Sequence, residues 1–128
     1  MMIVSDTFLP GIDIEVLRPE LENITSRLLH PSEKLFVDQH PDRQWALQVI
    51  WGAKEAVYKS YGKKKLIFRE DMIIAAFGSS PETSVKLLLR KEDRSWEYTL
   101  NAEFRDGFYL VYTTACVEVG EDDLPAAV

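Results

Sequence analysis

Hydrophobic and polar positions along the chain follow two periods, and the change between them divides it. From about Asp42 to Tyr61 the apolar residues recur at helical spacing. Trp45, Ala46, Val49, Ile50, Ala53, Ala56 and Val57 fill one broad arc, which Leu47, Trp51 and Tyr58 extend. The remaining polar strip is narrow and holds Gln44, Gln48, Glu55 and Lys59, with Lys54 outside it, between Tyr61 and Leu47. A helix this apolar is mostly buried, so its charged groups are either solvated at one edge or held where they have a partner. Pro41-Asp42 opens it and Gly62 caps its end. Earlier, Ile12-Asp13-Ile14-Glu15-Val16 alternates with period two. In a strand this sets Ile12, Ile14 and Val16 on one face and Asp13 and Glu15 on the other. Met2 to Val4 reads as another short strand. Pro19 to about Leu29 reads as a helix with Leu21, Ile24 and Leu28 inward. Ser32 is the expected N-cap of a short helix from Glu33 to about Gln39, with Leu35 and Phe36 inward.

From Leu66 the period is two. Met72 to Phe77 reads as a strand and Gly78 to Pro81 as a loop. Ser84 to Arg90, Trp96 to Phe104 and Phe108 to Val119 read as an antiparallel meander, turning at Glu92-Asp93-Arg94 and Arg105-Asp106-Gly107. Val85, Leu87 and Leu89 share one face, as do Tyr98, Leu100 and Ala102. The expected class is α+β: an antiparallel sheet with a long central helix and shorter helices on one face. Residues 1–119 are expected to form one domain, and 120–128 a flexible acidic tail.

Composition narrows the function classes. At 128 residues, with 46% hydrophobic and 28% charged, the chain can bury a core without disulfides or a structural metal. A net charge of −6 argues against a nucleic-acid partner. The single cysteine, Cys116, excludes an intrachain disulfide and a cysteine-based zinc site, and reads as a small hydrophobe in a strand. Neither a signal peptide nor a membrane-spanning run is visible, so a cytoplasmic protein without a membrane partner is expected. His30 and His40 each precede a proline at an element boundary, which fits a loop or capping role better than catalysis.

The candidate chemistry lies in charged groups placed by apolar elements: Asp13 and Glu15 on the strand, Glu55 on the long helix, and Lys54, Lys59 and Lys63-Lys64-Lys65 around it. Each has a plainer reading. Glu55 and Lys59, one turn apart, could be an ordinary ion pair worth a few tenths of a kcal/mol. Asp13 and Glu15 could be a solvated strand face, and the three lysines a cluster at the helix C-terminus. If they converge, three carboxylates without histidine or thiol make a hard oxygen site, suited to Mg²⁺ rather than zinc. Lysines beside it are point charges for phosphate, and the set fits attack on a phosphorus atom of a pyrophosphate.

Gly11-Ile12-Asp13-Ile14-Glu15, followed by an arginine and a proline, then Trp51-x-x-Lys54-Glu55-x-x-x-Lys59 and Gly62-Lys63, resembles the 4′-phosphopantetheinyl transferases. The likeness is nearest to the surfactin-synthetase-activating type and spans residues 11 to about 68. It implies an enzyme that moves the phosphopantetheine arm of coenzyme A onto a serine of an acyl or peptidyl carrier protein, releasing 3′,5′-ADP. Asp13, Glu15 and Glu55 fall on that family's Mg²⁺ ligands, and Glu55 also on the group that deprotonates the serine. Lys59 and Lys54 fall on lysines that contact the coenzyme's phosphates, and Lys63 and Lys65 are expected beside them. Larger members are two similar halves with the site between them, and carry a Ser-His-Ser-like segment before the Gly-Ile-Asp strand. Here the ten residues before Gly11 hold no histidine. The chain resembles one half, or the short carrier-protein synthases that build sites between identical subunits, so a homo-oligomer, trimer or dimer, is expected. A non-catalytic half-domain that keeps the fold and binds a partner is the alternative. A domain whose carboxylates never converge is the blandest reading.

Overall fold

The two periods become two layers. A computed structural model describes residues 10–62 and 65–120. Its sheet is five-stranded and antiparallel, with β1 (Ile12–Glu15), β2 (Met72–Ile74), β3 (Glu82–Lys91), β4 (Arg94–Arg105) and β5 (Phe108–Val119) in the order β1-β5-β4-β3-β2. The first and last of these strands are neighbours. Asp106 and Gly107, at φ 56° and 87°, close the β4–β5 hairpin with the left-handed pair that matches the twist of its strands. A bulge at Thr99/Leu100 shifts the register between the two. Val85, Leu87, Leu89, Tyr98, Leu100 and Ala102 all face inward, as their alternation requires.

The helical layer is a 3₁₀ segment (Pro19–Ile24), α1 (Thr25–Leu28), α2 (Pro31–Gln39), α3 (Arg43–Ser60) and α4 (Phe68–Asp71). α3 starts where Asp42 accepts from the Trp45 amide at 3.1 Å, and ends before Gly62 at φ +94°. The seven residues of its expected arc are buried, as is Leu47, while Trp51 and Tyr58 at the margin are part-buried. The long helix packs mainly on β5 and β1.

Several expectations need correction. The N-cap of α2 is His30, not Ser32. Its Nδ1 accepts from the Ser32 amide at 3.2 Å, while Glu33 reaches back to the His30 amide at 2.8 Å. With Pro31 at the first helical position, the cap falls one residue earlier than a Ser/Thr/Asp/Asn preference places it. Leu35 points outward, 59% exposed, and Val37 takes the buried position instead. One turn of helix, α4, precedes β2 where a period of two was read, and β2 stops at Ile74. The expected strand at Met2–Val4, the tail beyond Gly120, and Lys63 and Lys64 lie outside the described residues.

Of the two faces that alternation gives β1, the acidic one turns inward: Asp13 is 3% exposed while Ile12, Ile14 and Val16 are 50%, 59% and 56% exposed, so the plainer reading of a solvated acidic face fails for Asp13. The strand lies with its carboxylates toward α3. The polar strip of α3 runs over it and supplies a cation, so the polar faces of strand and helix meet. Close approach is possible because the helix crosses at glycines. A Cβ on Gly11 would overlap the Ala56 carbonyl, and one on Gly52 would lie 2.6 Å from Val111 Cγ2.

Candidate active site

The site lies in the seam between β1 and α3. Asp13 sits opposite Val111 and Glu15 opposite Tyr109 in the β1–β5 register, both on the helix side of the sheet. Gln48, Gly52, Glu55 and Lys59 follow one another at spacings of four, three and four along α3, so they form one line over that strand. Lys59 Nζ donates to Asp13 Oδ1 at 3.1 Å and to the Ile12 carbonyl at 3.2 Å. Asp13 Oδ2 is buried and has no hydrogen-bond partner among the described residues. It lies 3.5 Å from where a Cβ on Gly52 would stand.

Just after β1, Arg18 closes the lower end. Its Nη1 is 3.4 Å from Glu15 Oε1, its guanidinium stands 5.4 Å from the centre of the Trp51 ring, and its amide donates to Gln48 Oε1 at 2.6 Å. Gln48 Nε2 and Trp51 Nε1 are further buried polar atoms without a partner among the described residues.

Electrostatics bind the carboxylates into one unit. Burial is the main cause that lifts the Asp13 carboxyl from 3.8 to about 6, held back by the Lys59 hydrogen bond and pushed further by Glu15 and Glu55. Burial likewise raises Glu55, opposed by the Lys59 charge and reinforced by Glu15. Asp13, Glu15 and Glu55 thus lie within electrostatic reach of one another. Among the described residues no three carboxylate, imidazole or thiolate groups are already gathered as a metal cluster. The plainer reading of a Glu55–Lys59 ion pair does not hold, because Lys59 pairs with Asp13 instead. The donor set still fits a hard cation: Asp13 Oδ2 is an unused buried acceptor, and Mg²⁺ takes few protein carboxylates, completing its shell with water and phosphate.

Lys54 does not belong to this site. It is wholly buried, and Nζ donates to the Leu28 carbonyl at 2.7 Å, the Phe68 carbonyl at 2.8 Å and Glu33 Oε1 at 2.7 Å. Three acceptors require all three ammonium protons, leaving none for a coenzyme phosphate. Burial lowers its pKa, and Glu33 opposes that shift. Glu33 in turn accepts from the Ile74 amide at 2.6 Å, so the pair fastens α1, α2, α3, α4 and β2 together. Lys65 is exposed beyond the end of α3. His40 Nδ1 accepts from the Asp42 amide at 2.9 Å, a local turn contact like that of His30.

Sequence reasoning gave Arg18 and Gln48 no role and overlooked Glu33. The capping signature Pro31-x-Glu33 was readable, but a partner for Lys54 twenty-one residues away has no local signal.

Residues 10–114 match the family model of the 4'-phosphopantetheinyl transferase superfamily. No curated protein matches the sequence. Among solved structures, a holo-[acyl-carrier-protein] synthase from Neisseria meningitidis superposes with a TM-score of 0.62 at 19% identity, over 81% of this chain and 94% of that one. A holo-[acyl-carrier-protein] synthase from Thermotoga maritima gives 0.57 at 21% identity, over 81% of this chain and 60% of that one. At such identities these two likenesses establish the fold, and the family rests on the sequence match. The chain belongs to the 4′-phosphopantetheinyl transferase superfamily, as an enzyme of that class with the fold of the holo-acyl-carrier-protein synthases.

Proposed function

We propose that the protein transfers 4′-phosphopantetheine from coenzyme A to a serine of an acyl or peptidyl carrier protein, releasing 3′,5′-ADP, and that it needs Mg²⁺ to do so. The observation that carries the reading is the seam itself: a buried carboxylate with an unused oxygen, two further carboxylates beside it, and a lysine on the same line of α3. Asp13, Glu15 and Glu55 would hold the cation, which would neutralise charge on the coenzyme's diphosphate.

The chain's own residues then have distinct tasks. The serine hydroxyl forms the new P–O bond while the bond to the 3′,5′-ADP oxygen breaks, and a Glu55 carboxylate oxygen takes the serine proton. Burial raises its pKa, so it holds a proton better than an exposed glutamate, as a general base requires. Lys59 would meet the negative charge growing on the departing diphosphate. Lys65, and Lys63 two residues before it in the sequence, would contact the coenzyme's remaining phosphate. Fatty-acid metabolism in the cytoplasm is the natural setting for an acyl-carrier substrate, and a homo-oligomer would complete a cleft that one sheet and one long helix leave open.

Incubating the protein with Mg²⁺, coenzyme A and apo-carrier protein and weighing the carrier tests this. A phosphopantetheine mass gain is expected. Glu55→Gln should slow it by about 10²–10⁴-fold, the usual worth of a positioned base. No gain with any of several carriers would defeat the reading. The alternative of a non-catalytic half-domain is favoured by one fact: Lys59 and Arg18 already occupy Asp13 and Glu15. Calorimetry separates the two, because a remnant should show no Mg²⁺-dependent coenzyme A binding.

A further inference from the structure

Lys59 is already engaged where it stands. Two of its three protons go to β1, to Asp13 Oδ1 at 3.1 Å and to the Ile12 carbonyl at 3.2 Å, although its side chain is 42% exposed and has solvent to turn to. Asp13, by contrast, is fixed in the seam and has only Oδ2 to offer another partner. A dication bound between Asp13, Glu15 and Glu55 would sit beside this ammonium, and like charges that close repel strongly where water is scarce. The long, exposed lysine can move, whereas the buried aspartate cannot.

We infer that Lys59 is the built-in counter-ion of Asp13 in the metal-free protein, and that a divalent cation displaces it toward solvent and so toward the diphosphate. This rests on the carboxylate site proposed above. It adds a sequence of events: metal first, lysine released, coenzyme bound. It also makes the two ligands reciprocally coupled, since whatever holds Lys59 away from Asp13 favours metal, and metal favours whatever holds Lys59. Lys59 thus links two sites rather than decorating one.

The test uses Mn²⁺ alone, titrated against the full chain and followed by the loss of the free-ion electron paramagnetic resonance signal. Lys59→Gln, which keeps a hydrogen-bond donor but no charge, should bind Mn²⁺ more tightly, on the order of tenfold, as typical coupling energies give. Lys59→Arg, which keeps the competing charge, should bind like the natural protein, and Lys65→Gln should too. Circular dichroism confirms that each variant is folded. A charge that merely repels metal from a distance would also weaken binding, so the second readout is acylation of the Lys59 amine by mass spectrometry. Displacement predicts a several-fold rise in labelling when Mn²⁺ is added. Unchanged or reduced labelling, or a Lys59→Gln affinity no better than the natural protein's, overturns the inference and leaves the proposed transferase standing. Failure of the natural protein and of Lys59→Gln alike to bind Mn²⁺ overturns the carboxylate site, and the inference with it.

Discussion

Asp13 illustrates what a buried carboxylate costs a fold. Its carboxyl is raised from 3.8 to about 6 because burial disfavours the charge more than Lys59 rewards it. The folded state therefore holds this proton more tightly than the unfolded chain does. That contributes stability below about pH 4, which is lost as pH rises through about 6. Above that window an ionised Asp13 weighs against folding by roughly 3 kcal/mol at most, at about 1.4 kcal/mol per unit. Asp13→Asn, which can still accept from Lys59, should raise the urea midpoint at neutral pH and lose that advantage in acid, while binding metal poorly. Urea titrations at several pH values read this directly; a variant less stable at neutral pH would show that Lys59 outweighs burial. The same residue was legible in sequence as a candidate because Gly11-Ile12-Asp13-Ile14-Glu15 and the segment from Trp51 to Lys59 together resemble the transferases' motifs. Its burial was not, since alternation in a strand defines two faces without saying which one meets the helix.

At the scale of elements, the buried Lys54–Glu33 pair does the fastening that apolar contacts alone cannot specify. Removing one partner leaves the other charge buried, so Lys54→Met should lower stability by about 3–5 kcal/mol, and adding Glu33→Gln should return part of it. A urea double-mutant cycle measures the coupling. Coenzyme A affinity of whatever folds should be unchanged, because Nζ never faces the seam. Gly52→Ala is a second element-level test. Its Cβ would press on Val111 Cγ2 at 2.6 Å and push α3 from the sheet, at about 1–3 kcal/mol in thermal or urea melts. The sequence showed α3 and β5 to within about a residue because long, strongly periodic segments carry their own signal. It missed α4, a single turn too short to establish a period, and it saw Lys54 as off the polar strip without seeing why. Helical angle reveals that a charge is out of place; only the tertiary fold supplies the partner.

At the scale of the molecule, the site and the surface are two sides of one strand. Because β1 must turn Asp13 and Glu15 toward α3, period two turns Ile12 and Ile14 away from it, and no described helix covers them. Val16 and Leu17 extend this exposed apolar ridge along the edge of the sheet, where β1 has a neighbour on one side only among the described residues. Four large aliphatics together on an edge invite a partner surface, and an unprotected edge invites association. A second copy of the chain fits the expectation of a homo-oligomer, and it would place another subunit within reach of the seam on the opposite face of a four-residue strand. Light scattering after gel filtration should therefore give two or three times the chain mass. Ile14→Glu should drop it to one, with an unchanged circular dichroism spectrum, because Ile14 makes no part of the inner core. If the cleft is shared between subunits, that same variant should lose transferase activity while each chain still binds Mn²⁺ through Asp13. A monomeric natural protein with full activity would instead mean that one sheet and one long helix suffice, and that the ridge meets the carrier protein directly.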